Sequence, residues 1–281
     1  MKYETHSEYD PEDVSLLERA FLTVWGGLGA WHDDLVLVGG LVPKYLCGDV
    51  SADRTLPRPV TLDVDLGISL GAESRYGNLQ LDLQGQGFHR STGDHGETRF
   101  VKTIDNITIP VDFLTERPPA TTGVATVDGV PASILPGIDR ALATARSLTV
   151  EGIDLLGAEQ RLLVRVCEVG PFLTMKLRAF KFRQQPKDAF DILYTILHYD
   201  GGTDAVISGF QEEIRARNPA ISDALDCLRD SFDDERSLGP VKAAHFIFGQ
   251  TGPNESEDIR FRRRQIQQDM VSAGKRLMLV L

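Results

Sequence analysis

Asp63 and Asp65 stand two residues apart in Thr61-Leu62-Asp63-Val64-Asp65-Leu66-Gly67-Ile68, a stretch in which acidic and apolar residues alternate. Alternation of this kind is the pattern of a strand, and on a strand residues two apart leave from the same face. Two carboxylates side by side repel each other, and a hard divalent cation relieves that repulsion. Mg2+ suits them, with Mn2+ as the alternative, because it takes oxygen ligands and keeps coordination sites for water and substrate phosphates. A third carboxylate, Asp112, sits between apolar neighbours in Val111-Asp112-Phe113. If its strand lies beside the first, the three converge. Such a set can hold two metal ions that flank the attacking and leaving oxygens of an in-line displacement at phosphorus. Taken singly, each feature is ordinary, since a solvated strand face also alternates with Asp.

The order of the surrounding elements raises the odds. Asp10-Pro11-Glu12-Asp13 is a helix start, with Asp10 as N-cap and Pro11 at the first helical position, and apolar residues then recur at helical spacing as far as Trp25. The apolar run 35–38 reads as a buried strand and ends at Gly39-Gly40, after which 41–46 read as the first turns of a helix. Glycines there let backbone N–H groups approach a phosphate closely at a helix start whose dipole favours anions. Residues 48–59 form a polar loop, 61–68 the acidic strand, and 73–83 a helix. Strands over 98–104 and 107–114 are joined by an Asp105-Asn106 turn. The stretch 115–129 is a connection rich in Pro, Thr and Gly, with room for one short strand. From Pro171 onward the pattern is helical, over 172–182, 187–198, 205–217, 221–232 and 257–278. The expected architecture is an α/β (α+β) N-terminal domain with a mixed sheet, residues 1–168, followed by a helical C-terminal domain, residues 169–281.

Gly39-Gly40, Asp63-x-Asp65 and the later Asp112 resemble the signature of the DNA polymerase β-like nucleotidyltransferase superfamily. Within it the chain is most similar to the AbiEii/AbiGii type, the toxin half of type IV toxin–antitoxin systems. A second set of residues supports this: Pro171-Phe172-Leu173-Thr174-Met175-Lys176, then Arg183 and Lys187-Asp188-x-x-Asp191. The resemblance spans roughly residues 35–200. It departs from the compact superfamily pattern in the longer gap between Gly40 and Asp63 and in a second motif glycine where serine is commoner. It implies a nucleotidyltransferase fold and transfer of NMP from an NTP to an acceptor hydroxyl. The acceptor it suggests is a tRNA 3′ end, and the partner a cognate antitoxin. By this reading Asp63, Asp65 and Asp112 are metal ligands and catalytic with Lys176 and Asp191, while Gly39, Gly40, Arg58, Lys187 and Asp188 hold the nucleotide.

The residues of the second motif also have blander readings. Acidic residues suit a helix start, and Asp188 and Asp191 share a helix face. Lys176, on an otherwise apolar helix, is aimed either at a triphosphate or at an internal ion pair with Asp188 or Asp191. Arg58 is placed to pair with a γ-phosphate or with Asp63.

Composition narrows the field further. The chain of 281 residues has a formal net charge of −11, which argues against a broad basic surface coating nucleic acid but leaves room for a local groove. Arg260, Arg262, Arg263 and Arg264 form such a local run, read either as a solvated face balanced by Glu255, Glu257 and Asp258 or as contacts to RNA phosphates. Cys47, Cys167 and Cys227 are far apart and odd in number, the pattern of buried or free thiols in a reducing compartment. No histidine pair has zinc spacing, His89 and His95 included, and GxSxG, P-loop and GxGxxG motifs are absent. No apolar run is long enough to cross a bilayer, and a cytoplasmic protein is expected. Two rivals stand beside nucleotidyl transfer to RNA. One is an adenylyltransferase acting on a cationic, aminoglycoside-like small molecule; the other is a non-catalytic nucleotide-binding module of the same fold.

Overall fold

The computed structural model describes residues 3–48, 56–71, 78–91, 98–104 and 106–278, and the chain divides into two units. One comprises Asp10–Val42 and Thr61–Glu168 and is built on a mixed sheet. The other comprises Met1–Tyr9, Pro43–Val60 and Val169–Leu281 and is helical. The architecture is therefore mixed α/β with a helical C-terminal part. The segments 1–9 and 43–60, which the sequence reading placed in the N-terminal domain, group with the helices.

The sheet unit begins with helix α1 (Pro11–Gly27), whose Asp10 side chain accepts a 2.8 Å hydrogen bond from the Glu12 N–H. Its buried face carries Leu17, Phe21, Val24 and Trp25. Strand β1 (Leu35–Val38) is buried throughout, as its apolar run requires of a central strand. It pairs antiparallel with β2 (Val64–Ile68), which starts three residues later than the alternating pattern suggested. Helix α3 (Leu79–Gly85) follows, capped by the Asn78 side chain on the Leu81 N–H; the expected helix over 73–83 thus starts later, and 73–77 lie outside the described residues. Between β1 and β2 runs the five-residue helix α2 (Val42–Leu46).

Strand β3 (His89–Arg90) pairs with β4 (Arg99–Ile104), which forms an antiparallel hairpin with β5 (Ile107–Thr115). Ile104 pairs with Ile107 across the turn, of which Asn106 has positive φ and Asp105 lies outside the described residues. Strand β5 also runs parallel to β2, and it is this pairing that closes the sheet around the acidic residues.

The chain from 116 to 168 is richer than its sequence suggested. Strand β6 (Val124–Val127) is the one short strand expected; β7 (Val130–Ile134), helix α4 (Ile138–Ala143), β8 (Arg146–Ile153) and β9 (Glu159–Val166) complete the unit. The sheet runs β3-β4-β5-β2-β1-β9-β8, with β7 adding to β5 beyond the end of β4. Helix α1 packs on β8 and β9, and Trp25 Nε1 donates to the Leu163 carbonyl at 3.0 Å. Helix α4 packs on β1 and β2.

In the helical unit, α5 (Val169–Arg183) is buried along most of its length and packs on α6 (Pro186–His198), α7 (Gly202–Arg215) and α8 (Ile221–Ser231). At its first turn, a Cβ on Gly170 would stand 2.4 Å from the Gly209 carbonyl of α7, so the two backbones approach as only glycine allows. Helix α9 (Leu238–Phe248) was not among the expected helices; its Gly239 and Pro240 stand in the first turn, where proline costs no intrahelical donor. Helix α10 (Glu257–Met278) closes the chain and packs on α9. The core is aromatic, with Phe180, Phe190, Phe210, Phe232 and Phe246 all fully buried. Among the described residues no helix is long and apolar enough to cross a membrane.

Candidate metal centre

The register of three strands places the acidic residues. Asp65 on β2 is the direct partner of Asp112 on the parallel strand β5, and Asp63 immediately precedes β2. One carboxylate oxygen from each of Asp63, Asp65 and Asp112 lies within 4.8 Å of the others, and all three residues are half-buried. Their strand neighbours Val64, Leu66, Val111 and Phe113 are buried, so the alternation that fills the core with these residues turns the aspartates together on the opposite side. Thr61, itself buried, donates to Asp63 Oδ1 at 2.5 Å and fixes that carboxylate just outside the strand.

The glycine pair has a more specific task than its sequence suggested. Gly39 has φ +72°, and a Cβ added to it would stand 1.9 Å from Asp65 Oδ2. Asp65 thus fills the space that any other residue at position 39 would claim. Gly39 and Gly40 lie in a short 3-10 turn, followed by the five residues of α2. The helix expected from Leu41 is these five residues, and so brief a helix offers little dipole to an anion. What the glycines supply is backbone pressed against a carboxylate.

The residue the sequence reading missed is Arg99. It pairs with Asp112 across the β4–β5 hairpin; Nε lies 2.8 and 3.0 Å from the two carboxylate oxygens, and Nη2 also donates to Oδ2. The same Nη2 is 3.8 Å from Asp63 Oδ2. Burial disfavours the Arg99 cation, but hydrogen bonding to Asp112, with Asp112, Asp63 and Asp65 as neighbouring charges, holds it above its ordinary pKa. A signal for Arg99 did exist. Counting five residues back and five forward from the Ile104–Ile107 pair brings Arg99 opposite Asp112.

The second motif forms its own cluster within the helical unit. Lys176 Nζ lies 2.7 Å from Asp191 Oδ2 and 3.2 Å from Asp188 Oδ1, while Lys187 Nζ lies 2.6 Å from Asp191 Oδ2. Arg183 grips Asp188 with Nε on Oδ2 at 2.5 Å and Nη2 on Oδ1 at 2.7 Å. Of the two readings of Lys176, the internal ion pair is the one present. Burial pulls the Lys176 ammonium down, yet Asp191 and Asp188 outweigh it and leave the pKa well above the ordinary lysine value. Asp191 Oδ1 is buried without a hydrogen-bond partner. Arg58 is exposed, and its carbonyl oxygen lies 3.0 Å from the His6 ring.

Other expectations concerned residues without site chemistry. All three cysteines are buried and unpaired in disulfides, and burial pushes the Cys47 and Cys227 thiols up to about 12, far from reactivity. His89 is exposed on β3, and His95 lies outside the described residues. In the basic run, Arg263 is buried against Glu255, whereas Arg260, Arg262 and Arg264 are exposed.

The donor set fits a hard divalent cation: three carboxylates, all oxygen, with room for further ligands at a half-exposed face. Compared with models of protein families the chain matches none, and no curated protein matches it.

Proposed function

We propose that this chain is a metal-dependent nucleotidyltransferase, moving NMP from an NTP to an acceptor hydroxyl. The observation that carries the reading is the convergence of Asp63, Asp65 and Asp112 from two adjacent parallel strands, with the Gly39 backbone against Asp65. A surplus of negative charge on a half-exposed face is costly to keep unless a cation and its anionic ligand use it. When bound, Mg2+ or Mn2+ supplies charge neutralisation at the phosphates and a fixed geometry for displacement.

In the reaction, the acceptor oxygen forms a bond to the α-phosphorus, the bond from that phosphorus to the bridging oxygen breaks, and pyrophosphate leaves. The hydroxyl proton passes to Asp112, for which Arg99 must yield one oxygen; such general-base help is worth roughly 10²–10⁴ in rate. Asp63 and Asp65 would hold the cation, and the 39–40 backbone gives the phosphates a surface without side chains.

The resemblance to AbiEii/AbiGii nucleotidyltransferases supports a tRNA 3′ end as acceptor and a toxin whose action a cognate antitoxin counters. The net charge of −11 favours the small-molecule reading instead, since cationic acceptors are drawn to acidic surfaces. The test is incubation of the full chain with each α-³²P-labelled NTP, Mg2+ and total cellular RNA, beside Asp65→Ala. Label on tRNA with the wild type alone is the expected result. Label on no RNA sinks the tRNA acceptor and turns the search to cationic small molecules. Absence of any NTP-dependent thermal shift leaves only a degenerate module that neither transfers nor binds a nucleotide.

A further inference from the structure

The carboxylate cluster already contains a cation, and its position has consequences for how many more the cluster can take. Arg99, Asp112 and Asp65 form one rung across β4, β5 and β2, since Arg99 is the register partner of Asp112 and Asp112 that of Asp65. Sheet geometry therefore delivers the guanidinium to the same rung as two of the three aspartates. Its contacts with Asp112 are two-pronged, the arrangement that a planar guanidinium makes with a carboxylate and that an ammonium does not reproduce. Its Nη2 also leans toward Asp63 Oδ2 at 3.8 Å, so the positive charge lies inside the cluster. Arginine does not lose its proton in proteins, and this charge is permanent.

We propose that Arg99 is the resident counter-cation of the triad: it withdraws Asp112 from metal ligation, so that the chain by itself takes one divalent cation, on Asp63 and Asp65, rather than two. The inference rests on the nucleotidyltransferase reading and refines its metal site. It also makes Asp112 a proton acceptor that Arg99 positions, with no metal bond to it.

The test counts metal ions on the full chain without nucleotide. Free Mn2+ is read by its paramagnetic resonance signal as protein is titrated, for wild type, Arg99→Met, Arg99→Lys and Asp112→Asn. One Mn2+ is expected on the wild type and on Asp112→Asn. On Arg99→Met a second Mn2+ is expected, or the first held at least tenfold more tightly. Arg99→Lys retains the charge without the two-pronged grip and is expected in between, so it carries the test should Arg99→Met not fold. Two Mn2+ on the wild type, or Arg99 variants that match the wild type while Asp112→Asn binds weakly, would overturn the proposal and leave the metal site standing. No Mn2+ on any of the four proteins would overturn the metal site and this inference together.

Discussion

The two ionic clusters of this chain are built from the same residue types and solve opposite problems. In the sheet unit, three half-buried aspartates converge on one point and two of them meet the guanidinium of Arg99. In the helical unit, Asp188 and Asp191 meet Lys176, Lys187 and Arg183, and four of the five residues are buried. There each carboxylate has at least two cationic partners, and little is left over for anything outside the chain. A buried charge is tolerable only when paired and hydrogen-bonded, so that cluster is an internal fastening whatever else it does. The first cluster gathers three carboxylates at a half-exposed face that a ligand can reach. Exposure, more than the presence of aspartates, separates a site from a fastening.

The sharpest way to break the comparison is to make the same substitution in both places. Asp191→Asn takes from Lys176 the carboxylate 2.7 Å away and from Lys187 the one 2.6 Å away, while Asp188 is already gripped by Arg183. Breaking a buried pair in this way costs about 3–5 kcal/mol, so denaturant titration should show a large loss of stability. An unchanged midpoint would mean the helical cluster is not a fastening.

Gly39→Ala comes next. A Cβ at position 39 collides with Asp65 Oδ2 and must occupy a left-handed backbone, which costs an L-residue roughly 1–2 kcal/mol. The expected outcome is modest destabilisation with Mn2+ binding reduced at least tenfold, since the collision is relieved only by moving Asp65. Metal binding intact in a folded Gly39→Ala protein would detach the glycine turn from the site.

Asp65→Asn should do the reverse of Asp191→Asn. Removing one of three crowded carboxylates relieves repulsion worth about 1 kcal/mol between half-exposed groups, so the metal-free protein should melt slightly higher. The same variant should lose the thermal upshift that Mg2+ gives the wild type. Destabilisation without metal would show that the cluster is balanced by partners other than a ligand.

How much of this was legible beforehand follows the same division. Short-range pattern was enough for Asp63 and Asp65, because period-two alternation fixes a common face, and for the Asp10 cap, the β4–β5 hairpin and the helices from α5 to α8 and α10. The parallel pairing that sets Asp112 beside Asp65 joins residues 47 apart and left no local trace. The β8–β9 hairpin was missed because its outward face carries Leu163 and Ile153, exposed at 62% and 52%, among charged residues, which blurs the alternation. Helix α9 was hidden by a Gly-Pro pair that is harmless in a first turn. Lys176 left two readings open, because an ammonium on an apolar helix says that something anionic is near and not whether it belongs to the chain.

The smallest predicted effect concerns that lysine and appears only in alkali. Its folded pKa lies above the ordinary value of 10.5, since Asp191 and Asp188 outweigh the cost of burial. A group whose pKa is raised by folding contributes stability in full below its unfolded pKa, and that contribution drains away as pH rises toward the folded value. Above pH 10.5 the unfolded chain sheds this proton while the folded chain keeps it, so the stability that Lys176 contributes should fall as pH rises. Other lysines and tyrosines titrate in the same range. The measurement is therefore the difference in urea midpoint between wild type and Lys176→Met, followed from about pH 9 to about pH 11.5. Lys176→Met should be the less stable protein at the lower pH, and the gap should narrow as pH rises. A gap that stays constant would mean that Lys176 contributes packing and not charge, and the helical cluster would then lose its standing as the balanced counterpart of the metal centre.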